Sequence, residues 1–233
     1  MRTVLSVLVS VFLVAGCGGA AGSTAPVVAV PASAAPVSPA AASSPVSVSP
    51  AAFPAGDQTL PAGTYILDPK LAITIDVPAG WASCCGSAIT KDDFSALLFS
   101  DVTGLPVYAD ACDWKDGGQT KPKGAKAFAA ALAAQRDREA SKPRDVNIGG
   151  LPGVHVRLTV PTDQGVAGDF SRCDNAEFRS FEGRHHQGAS QIDDYYFVDV
   201  GDRTINFDLV SGPDIPPTDM AELEAMLASI KID

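Results

Sequence analysis

The sequence predicts an α+β domain in which a mainly antiparallel β-sheet carries a central helix and a C-terminal helix packed on it. Three observations support this fold class. Apolar residues alternate with polar ones through 71–77, two glycine-containing turns join strand-like segments, and apolar residues recur at helical spacing near the end of the chain. Tight hairpins join antiparallel strands, and hairpins outnumber helices here, as is typical of the α+β class.

The segment before the domain is typical of an exported protein. Arg2 precedes the apolar run 4–14, which is shorter than the ~20 residues that a membrane-spanning helix needs. Small residues then lead directly into Cys17, and this pattern resembles the lipobox of exported lipoproteins. The resemblance implies a signal peptide over 1–16, cleavage before Cys17, and acylation (palmitate included) of Cys17. The protein is then expected on the cell membrane, facing the extracytoplasmic side, because two or more acyl chains hold a protein stably on a bilayer.

Residues 17–56 are predicted to form a disordered tether. After Cys17 they carry no charge and consist mostly of Ala, Pro, Ser and Val, with prolines every three to six residues: Pro26, Pro31, Pro36, Pro39, Pro45, Pro50 and Pro54. Regular prolines prevent a helix and remove donors from any sheet. The remaining 57–233 have the size of a single domain.

The first half of this domain alternates strand and turn signals. Residues 71–77 read as a half-buried strand ended by Pro78, and 95–100 and 105–108 are shorter strand candidates. The alanine-rich stretch 125–140 predicts a helix, which Ser141-Lys142-Pro143 ends. We expect Phe128 and Leu132 to be its inward anchors.

Two hairpins follow the helix. Gly149-Gly150 separates 146–148 from 151–160, and glycine supplies the positive φ values of a tight turn. In the second strand, valines and a leucine are expected on one face and His155, Arg157 and Thr159 on the other.

Gly201-Asp202 fits a type II′ turn, which fixes the register of the second hairpin. That register sets Val198 opposite Ile205 and Tyr196 opposite Phe207 on one face. Asp199 opposite Thr204 and Phe197 opposite Asn206 lie on the other face.

The chain ends on a predicted helix. Asp219 and Glu222 have the spacing of a capping box after Pro216-Pro217. Apolar residues then recur at helical spacing and are expected to pack on the sheet: Met220, Leu223, Leu227 and Ile230.

Charge and composition narrow the class of partner. The net charge is -10 at pH 7. An acidic chain of this kind argues against nucleic acid, which needs a basic footprint. The lipid on Cys17 is expected to supply the membrane contact, and an envelope protein or small ligand is the expected partner.

Four cysteines remain after Cys17, namely Cys84, Cys85, Cys112 and Cys173. In an oxidising compartment these predict two disulfides, for which three connectivities are open. One contains a vicinal Cys84–Cys85 bridge, and the others join each of these residues to a different distant segment. A structural zinc site is less favoured, because paired Cys-x-x-Cys motifs are missing.

Signatures of hydrolases, zinc proteases and nucleotide-binding loops are missing from the sequence, so no catalytic residue, metal or cofactor is predicted. The candidate ligand-binding residues are His185 and His186 with Glu177 and Asp193, because histidine and carboxylates are common ligands and proton carriers. Adjacent strand residues point to opposite faces, so the two histidines meet one ligand only from an irregular loop. The alternative is one hydrogen-bonded histidine and one exposed one.

Three other groups have simpler structural explanations. Four lysines (Lys115, Lys121, Lys123 and Lys126) could hold an anion but suit a solvated loop. The acidic group Asp110, Asp113 and Asp116 suggests a calcium loop, but its spacing lacks the glycine and distal glutamate of an EF-hand. Trp81 and Trp114 are expected in the core, the alternative being an exposed ligand platform of a Trp with Tyr195.

Several stretches of 57–233 resemble a family of uncharacterised envelope lipoproteins from high-GC Gram-positive bacteria. The matching stretches are Thr64-Tyr65, 73–81, 107–114, 148–161, Cys173 through Phe178, His186-Gln187-Gly188, Gln191, 199–201 and 222–232. The resemblance implies a Cys112–Cys173 disulfide, whereas Cys84 and Cys85 depart from the family pattern. More distantly, the strand ending in Val-Pro-Ala-Gly-Trp and the closing Ser-Ile-Lys are similar to the PsbP/Mog1-like sandwich, a fold of binding and accessory proteins.

Three functions are consistent with these features. The favoured one is a lipid-anchored, non-enzymatic domain that binds a ligand or partner outside the membrane. The second is a metal-dependent envelope enzyme that uses the His185/His186 region. The third is a purely structural module of the envelope.

Overall fold

The computed structural model describes residues 49–92, 95–162, 170–186 and 188–233. The predicted signal peptide, Cys17 and the tether up to residue 48 lie outside these residues. The strands are β1 Ala51–Ala52, β2 Gln58–Thr59, β3 Gly63–Asp68, β4 Ile73–Val77, β5 Ala82–Cys84, β6 Ala88–Asp92, β7 Ser95–Asp101, β8 Val107–Tyr108, β9 Gln119–Thr120, β10 Glu139–Ala140, β11 Arg144–Ile148, β12 Leu151–Thr159, β13 Arg179–Phe181, β14 Arg184–His185, β15 Ile192–Val200, β16 Arg203–Ser211 and β17 Lys231–Ile232. The helices are α1 Ala125–Ala133 and α2 Pro217–Ser229, with a 3-10 turn at Asp174–Ala176.

The strands form three sheets, and the α+β class is confirmed. The main sheet has the order β10-β12-β15-β16-β7-β6-β5-β2, with β11 also pairing with β12, and its ladders are antiparallel. A second sheet has the order β1-β3-β4-β17, and a third has the order β14-β13-β8-β9. Within the described part of the chain, no helix is both long enough and apolar enough to cross a membrane.

Both predicted hairpins are confirmed residue by residue. Gly149 and Gly150 have φ values of 58° and 89°, and Ile148 pairs with Leu151. Gly201 has a φ of 62°, and the β15–β16 ladder sets Val198 opposite Ile205 as the turn predicts. The turn chemistry therefore fixes which side chains of the two longest central strands share a face.

The main sheet has two buried faces. On the first, which we call the apolar face, Val198, Ile205 and Phe207 pack with residues of the second sheet and α2. On the opposite face, which we call the mixed face, Tyr195 and Phe197 pack with α1 and the third sheet. This second cluster also contains Val154, Val156 and Leu158, which the alternation along β12 predicts on one face.

The helix α1 is shorter than predicted. It ends at Ala133 rather than Ala140 because the following residues have other partners. The Gln135 side chain donates to the carbonyls of Tyr108 and Ser180, each at 2.9 Å, and Asp137 takes a left-handed φ of 62°. Glu139–Ala140 then pairs with β12 as an edge strand.

The start of α1 is held by a residue distant in sequence. The Ala125 N–H donates to both Asp199 carboxylate oxygens, at 2.9 and 3.1 Å. A Cβ on Gly124 would lie 3.1 Å from Asp199 Oδ2, and its φ is 82°. Glycine therefore lets a carboxylate of β15 cap the helix in place of a local side chain.

The predicted capping box of α2 is wrong, because the helix begins at Pro217 without a side-chain cap. Lys91 Nζ instead reaches Asp219 Oδ1 at 2.6 Å and Glu222 Oε2 at 3.0 Å. Trp81 Nε1 also donates to Glu222 Oε2, at 2.8 Å. Both carboxylates therefore anchor α2 to the main sheet.

The folded part begins before the predicted end of the tether. Ala51–Ala52 pairs in parallel with β3, and the Phe53 ring packs edge-on against Phe99 at 5.1 Å. The pattern of prolines concealed this short strand, since Pro50 and Pro54 flank it without interrupting it. The tether boundary at residue 56 is corrected accordingly.

Two disulfides join the four cysteines of the described residues. Cys112 is bridged to Cys173 with a Cα–Cα distance of 4.4 Å, as the family resemblance implied. Cys84 is bridged to Cys85, which is the vicinal connectivity that the sequence left open. The first bridge lies beside a small apolar cluster of Ala111, Val160, Phe170 and Phe178.

Candidate functional site

A group of ionisable and polar side chains lies inside the molecule on the mixed face of the main sheet. Its members, which we call the buried charge cluster, come from the segment after α1, from the third sheet and the residue that follows β14, and from the two central strands: Arg138, Ser180, Arg184, His186, Asp193, Tyr195 and Asp208. Ser180, Asp193, Tyr195 and Asp208 are each 0% exposed, and His186 is 3% exposed. Charged groups are rarely buried this deeply unless they are paired.

Three members form a line of contacts from hydroxyl to imidazole to carboxylate. Ser180 Oγ lies 2.7 Å from His186 Nε2, and His186 Nδ1 lies 2.9 Å from Asp193 Oδ2. A neutral His186 protonated on Nδ1 accepts from the Ser180 hydroxyl at Nε2 and faces Asp193 with its N–H side. Serine hydrolases use the same order of groups to activate a nucleophile.

The surroundings of Ser180 differ from those of a free nucleophile. Arg138 Nη1 donates to Ser180 Oγ at 2.5 Å, and the Tyr195 hydroxyl donates to it at 3.3 Å. A hydroxyl oxygen has two lone pairs, and both are occupied when its proton is donated to His186. The oxygen is thus bonded on every side and fully enclosed by protein.

Arg184 joins two carboxylates of the central strands. Its Nε donates to Asp208 Oδ2 at 3.0 Å, and its Nη2 pairs with both Asp208 and Asp193. Arg138 Nη2 is 3.9 Å from Asp193 Oδ2. Two guanidinium groups therefore face two carboxylic groups within the cluster, so that the buried charges are compensated locally.

Burial and pairing shift the titration of these groups. Burial lowers the pKa of His186 to about 4, so its neutral form is favoured at pH 7. Burial alone would raise the pKa of Asp193, but its contacts with His186 and Arg184 hold that pKa below its ordinary value. Burial raises the pKa of Asp208, which must share Arg184 with Asp193. Burial likewise raises the pKa of the Tyr195 phenol, favouring its protonated, donating form.

The four predicted ligand-binding residues do not converge. His186 and Asp193 meet at 2.9 Å within the cluster. His185 is exposed, and Glu177 pairs with Arg179, whose Nε donates to Glu177 Oε2 at 2.8 Å. His185 ends β14 and His186 follows it, and one histidine is exposed while the other is hydrogen-bonded, as the alternative interpretation expected. The cations that flank Asp193 are guanidinium groups, whose donors cannot act as metal ligands.

Several members of the cluster had no recognisable sequence signal. Arg138, Ser180 and Arg184 are separated by loops and belong to no spacing motif. Asp208 is different, because the predicted hairpin register already sets it opposite Tyr195. Extending that register along both strands would have placed an acidic residue on a buried face.

The two tryptophans, Tyr195 and His155 differ in part from their predicted environments. Trp81 is 0% exposed and lies in the core, but Trp114 is half-buried, with the Arg179 guanidinium 4.1 Å from its ring centre. The platform with Tyr195 is wrong, since Tyr195 is enclosed. His155, expected on a polar face, is 5% exposed, with Nε2 2.6 Å from Asp194 Oδ1.

The lysine and aspartate groups do not converge either. Lys115 donates to Asn175 at 2.5 Å, whereas Lys126 pairs with Asp145 at 3.2 Å. Asp110 accepts from the backbone N–H groups of Cys112 and Asp113, at 3.0 and 2.8 Å. Asp110 therefore serves a local turn, and Lys115 and Lys126 have separate partners.

A groove opens between the second sheet and the apolar face of the main sheet. It has a volume of about 240 Å³ and an apolar floor that includes Leu67, Ile73, Phe99, Ile205 and Phe207. Beside it, Arg203 joins Asp68 and Asp101, at 3.0 and 2.8 Å. A concave apolar surface next to a few fixed charges is the usual form of a binding site.

Comparison with known proteins adds little beyond the fold. No protein-family model and no curated protein sequence matches the chain. Among solved structures, the chain is similar to cyanobacterial PsbP (CyanoP) from Synechocystis sp. PCC 6803, with 14% sequence identity and a TM-score of 0.36, over 77% of this chain and 94% of that one. A similarity this distant carries no conclusion about this chain.

Proposed function

We propose that the protein is a lipid-anchored, extracytoplasmic binding domain without catalytic activity, and that its partner is another envelope protein. The observation that carries the non-enzymatic part is the enclosure of Ser180. The hydroxyl of the one arrangement suited to nucleophilic chemistry is 0% exposed and is bonded to His186, Arg138 and Tyr195. A substrate carbonyl has no approach to it, so the cluster serves to fix the third sheet on the main sheet.

The anchor and the compartment are supported by independent features. The lipobox-like Cys17 and the signal-like segment 1–16 support attachment to the outer face of a membrane. The Cys112–Cys173 bridge is in keeping with an oxidising compartment, where disulfides persist. The acidic chain also suits covalent attachment, since it lacks the basic character that a peripheral protein needs to bind anionic headgroups.

The inter-sheet groove is the proposed contact surface. Its volume of about 240 Å³ is below the roughly 300–1,000 Å³ of pockets that enclose a drug-sized molecule. A compact apolar side chain of a partner fits this size better than a whole ligand does. The Arg203 ion pairs next to the floor offer polar atoms for the partner backbone around that side chain.

Site-directed photo-crosslinking in native membranes tests this proposal. A photoreactive residue at Ser87, which is exposed on the groove, should give one dominant protein adduct. The same residue at Glu224, exposed on α2, is the matched control and should not give that adduct. In the Ser87 background, Leu67→Ser should reduce the adduct at least 10-fold by removing part of the apolar floor. Equal labelling from both positions, or an adduct indifferent to Leu67→Ser, would rule out the groove.

The Ser180–His186–Asp193 geometry favours one second candidate, a hydrolase whose site opens on contact with substrate or membrane. Fluorophosphonate probes label an activated serine covalently. Incubation of the chain with such a probe, with and without lipid vesicles, should leave Ser180 unlabelled under our proposal. If the probe labels the chain and Ser180→Ala abolishes that labelling, the protein is an esterase or peptidase rather than a binding domain.

The metal-dependent enzyme is the less favoured alternative, because His185 and Glu177 lie apart from His186 and Asp193. A purely structural module would tolerate substitution throughout the groove and the segment 184–191 without phenotype. The crosslinking experiment separates that module from a binding domain.

A further inference from the structure

The turn between β5 and β6 brings three potential metal ligands together. The ligand atoms of Asp57, Cys84 and Cys85 all lie within 4.8 Å of one another. Among the described residues, this is the one group of three or more His, Cys, Asp or Glu side chains that meets this distance. Its position is outside the buried charge cluster and was not indicated by any sequence motif.

The third ligand is held in place by the fold. Asp57 precedes β2, which pairs with β5, and the Cys85 N–H donates to Asp57 Oδ1 at 3.1 Å. Ser83 Oγ donates to the Gly56 carbonyl at 2.6 Å and fixes the backbone next to Asp57. The carboxylate is therefore directed at the turn by contacts that do not depend on the disulfide.

The turn itself is shaped to present both cysteines at one place. The Ser87 N–H donates to the Cys84 carbonyl at 3.2 Å, and Cys85 takes a left-handed φ of 59°. Asp57 and Cys85 are exposed and Cys84 is half-buried. A reductant and a metal ion can both reach the group.

We propose that Asp57, Cys84 and Cys85 form a redox-gated site for a thiophilic divalent cation of the Zn²⁺ type. In the oxidised state, the sulfur atoms are bonded to each other and cannot act as thiolate ligands. A dithiol reductant transfers two electrons and two protons to the bridge, which yields two thiols and leaves the reductant as a disulfide. The cation then displaces the two thiol protons to solvent, and the Asp57 carboxylate supplies a third bond.

The chemistry of this donor set fits such an ion. Thiolates prefer soft and borderline cations, and zinc is commonly bound by cysteine sulfur together with a carboxylate oxygen. At a Zn–S distance of about 2.3 Å, two sulfurs on a tetrahedral ion are about 3.8 Å apart. Adjacent cysteines can reach this separation by side-chain rotation once the bridge is open. Three protein ligands leave the fourth position of the ion to water or to a partner group.

Zinc binding by the full chain in its two redox states tests this site. The chain is reduced with a phosphine, desalted anaerobically, and titrated with Zn²⁺ against a chromophoric chelator; free thiols are counted before titration. One equivalent should bind after reduction with a Kd at least 100-fold lower than in the oxidised chain. Co²⁺ in place of Zn²⁺ should give the thiolate-to-metal charge-transfer absorption.

Three variants assign the ligands. Asp57→Asn keeps an oxygen for the Cys85 N–H but removes the charge, so Kd should rise about 10-fold. Asp202→Asn, in the exposed β15–β16 turn, is the matched control and should not change Kd. The double variant Cys84→Ser, Cys85→Ser should no longer bind the one equivalent of Zn²⁺ with low Kd. Peptide mapping reports whether the Cys112–Cys173 bridge stayed closed.

The proposal is overturned if the reduced chain, with its two thiols verified, binds no more Zn²⁺ than the double serine variant. It is also overturned if Asp57→Asn binds as tightly as the unsubstituted chain. Metal bound equally by the double serine variant under the same reduction would assign the ion to Cys112 and Cys173 instead. None of these outcomes depends on whether the groove binds a partner.

Discussion

Along β16, the two faces of the main sheet bury side chains of different chemical character. On the apolar face, Ile205, Phe207 and Leu209 of β16 pack against hydrocarbon of the second sheet and α2. On the mixed face of the same strand, Asn206 and Asp208 are 2% and 0% exposed. A buried polar group keeps its stability only through specific partners, whereas hydrocarbon contacts are non-directional. One strand therefore carries a side that tolerates repacking and a side whose stability depends on specific partners.

The largest effect is expected for Arg184→Met, on the mixed face. The substitution leaves Asp193 and Asp208 enclosed without their shared cation, so the free energy of unfolding should fall by ~3–5 kcal/mol. Guanidinium-induced unfolding followed by circular dichroism measures it. Arg203→Met is the matched control, because that guanidinium also joins two aspartates but lies at the surface, and it should cost much less. Equal losses for the two variants would remove the distinction between the faces.

The Cys112–Cys173 bridge tests whether the periphery of the mixed face depends on a covalent constraint. Cys112→Ser should lower the free energy of unfolding by ~2–5 kcal/mol, as for native disulfides of small exported domains. Cys85→Ser opens a bridge between adjacent residues. Because that bridge encloses no long loop, its loss should lower the free energy of unfolding far less. Peptide mapping without reduction verifies each connectivity. A larger loss from Cys85→Ser than from Cys112→Ser would contradict the assignment of the stabilising bridge.

His186 should make the stability of the mixed face depend on pH. Its folded pKa of about 4 lies below the ordinary 6.5, so the unfolded chain binds more protons between these values. Stability from this group is complete above about pH 6.5 and is lost as the pH falls toward 4. Relative to His186→Asn, the loss between pH 7.5 and pH 5 should be on the order of 2 kcal/mol. Parallel stability curves for the two chains would mean that His186 does not titrate in this way.

The smallest effect is expected on the apolar face. Leu97 is 0% exposed and packs with the other apolar side chains of that face. Leu97→Met conserves volume and polarity, so it should cost less than ~1.5 kcal/mol. Thermal unfolding measures the change. A loss comparable to that of Arg184→Met would show that the apolar face is as exacting as the mixed one.

Much of the fold could be predicted because local chemistry specified it. Gly149-Gly150 and Gly201-Asp202 determine two turns, and a turn of two residues sets the register of everything that pairs beyond it. The predictions were wrong where tertiary contacts determined the ends and caps of the helices. The helix predicted to Ala140 ends at Ala133 once Gln135 finds carbonyls of the third sheet, and Asp219 and Glu222 serve Lys91 rather than a cap.

The sites were less predictable than the fold for a related reason. His186 and Asp193 could be singled out because they are near each other in sequence. Ser180 and Arg184 join them through the third sheet, and Arg138 joins them from the segment after α1. Asp57 reaches Cys85 across 28 residues of chain. Side chains that meet through distant segments leave no fixed spacing.

By itself, then, the sequence determined the α+β class, the hairpin registers and the residues that could ionise or bridge. The tertiary structure decided which of those residues are enclosed and which face solvent. The physical reason is that turns and alternation are properties of neighbouring residues. Burial, pKa and the reach of a ligand or reductant depend instead on the chain that folds over them.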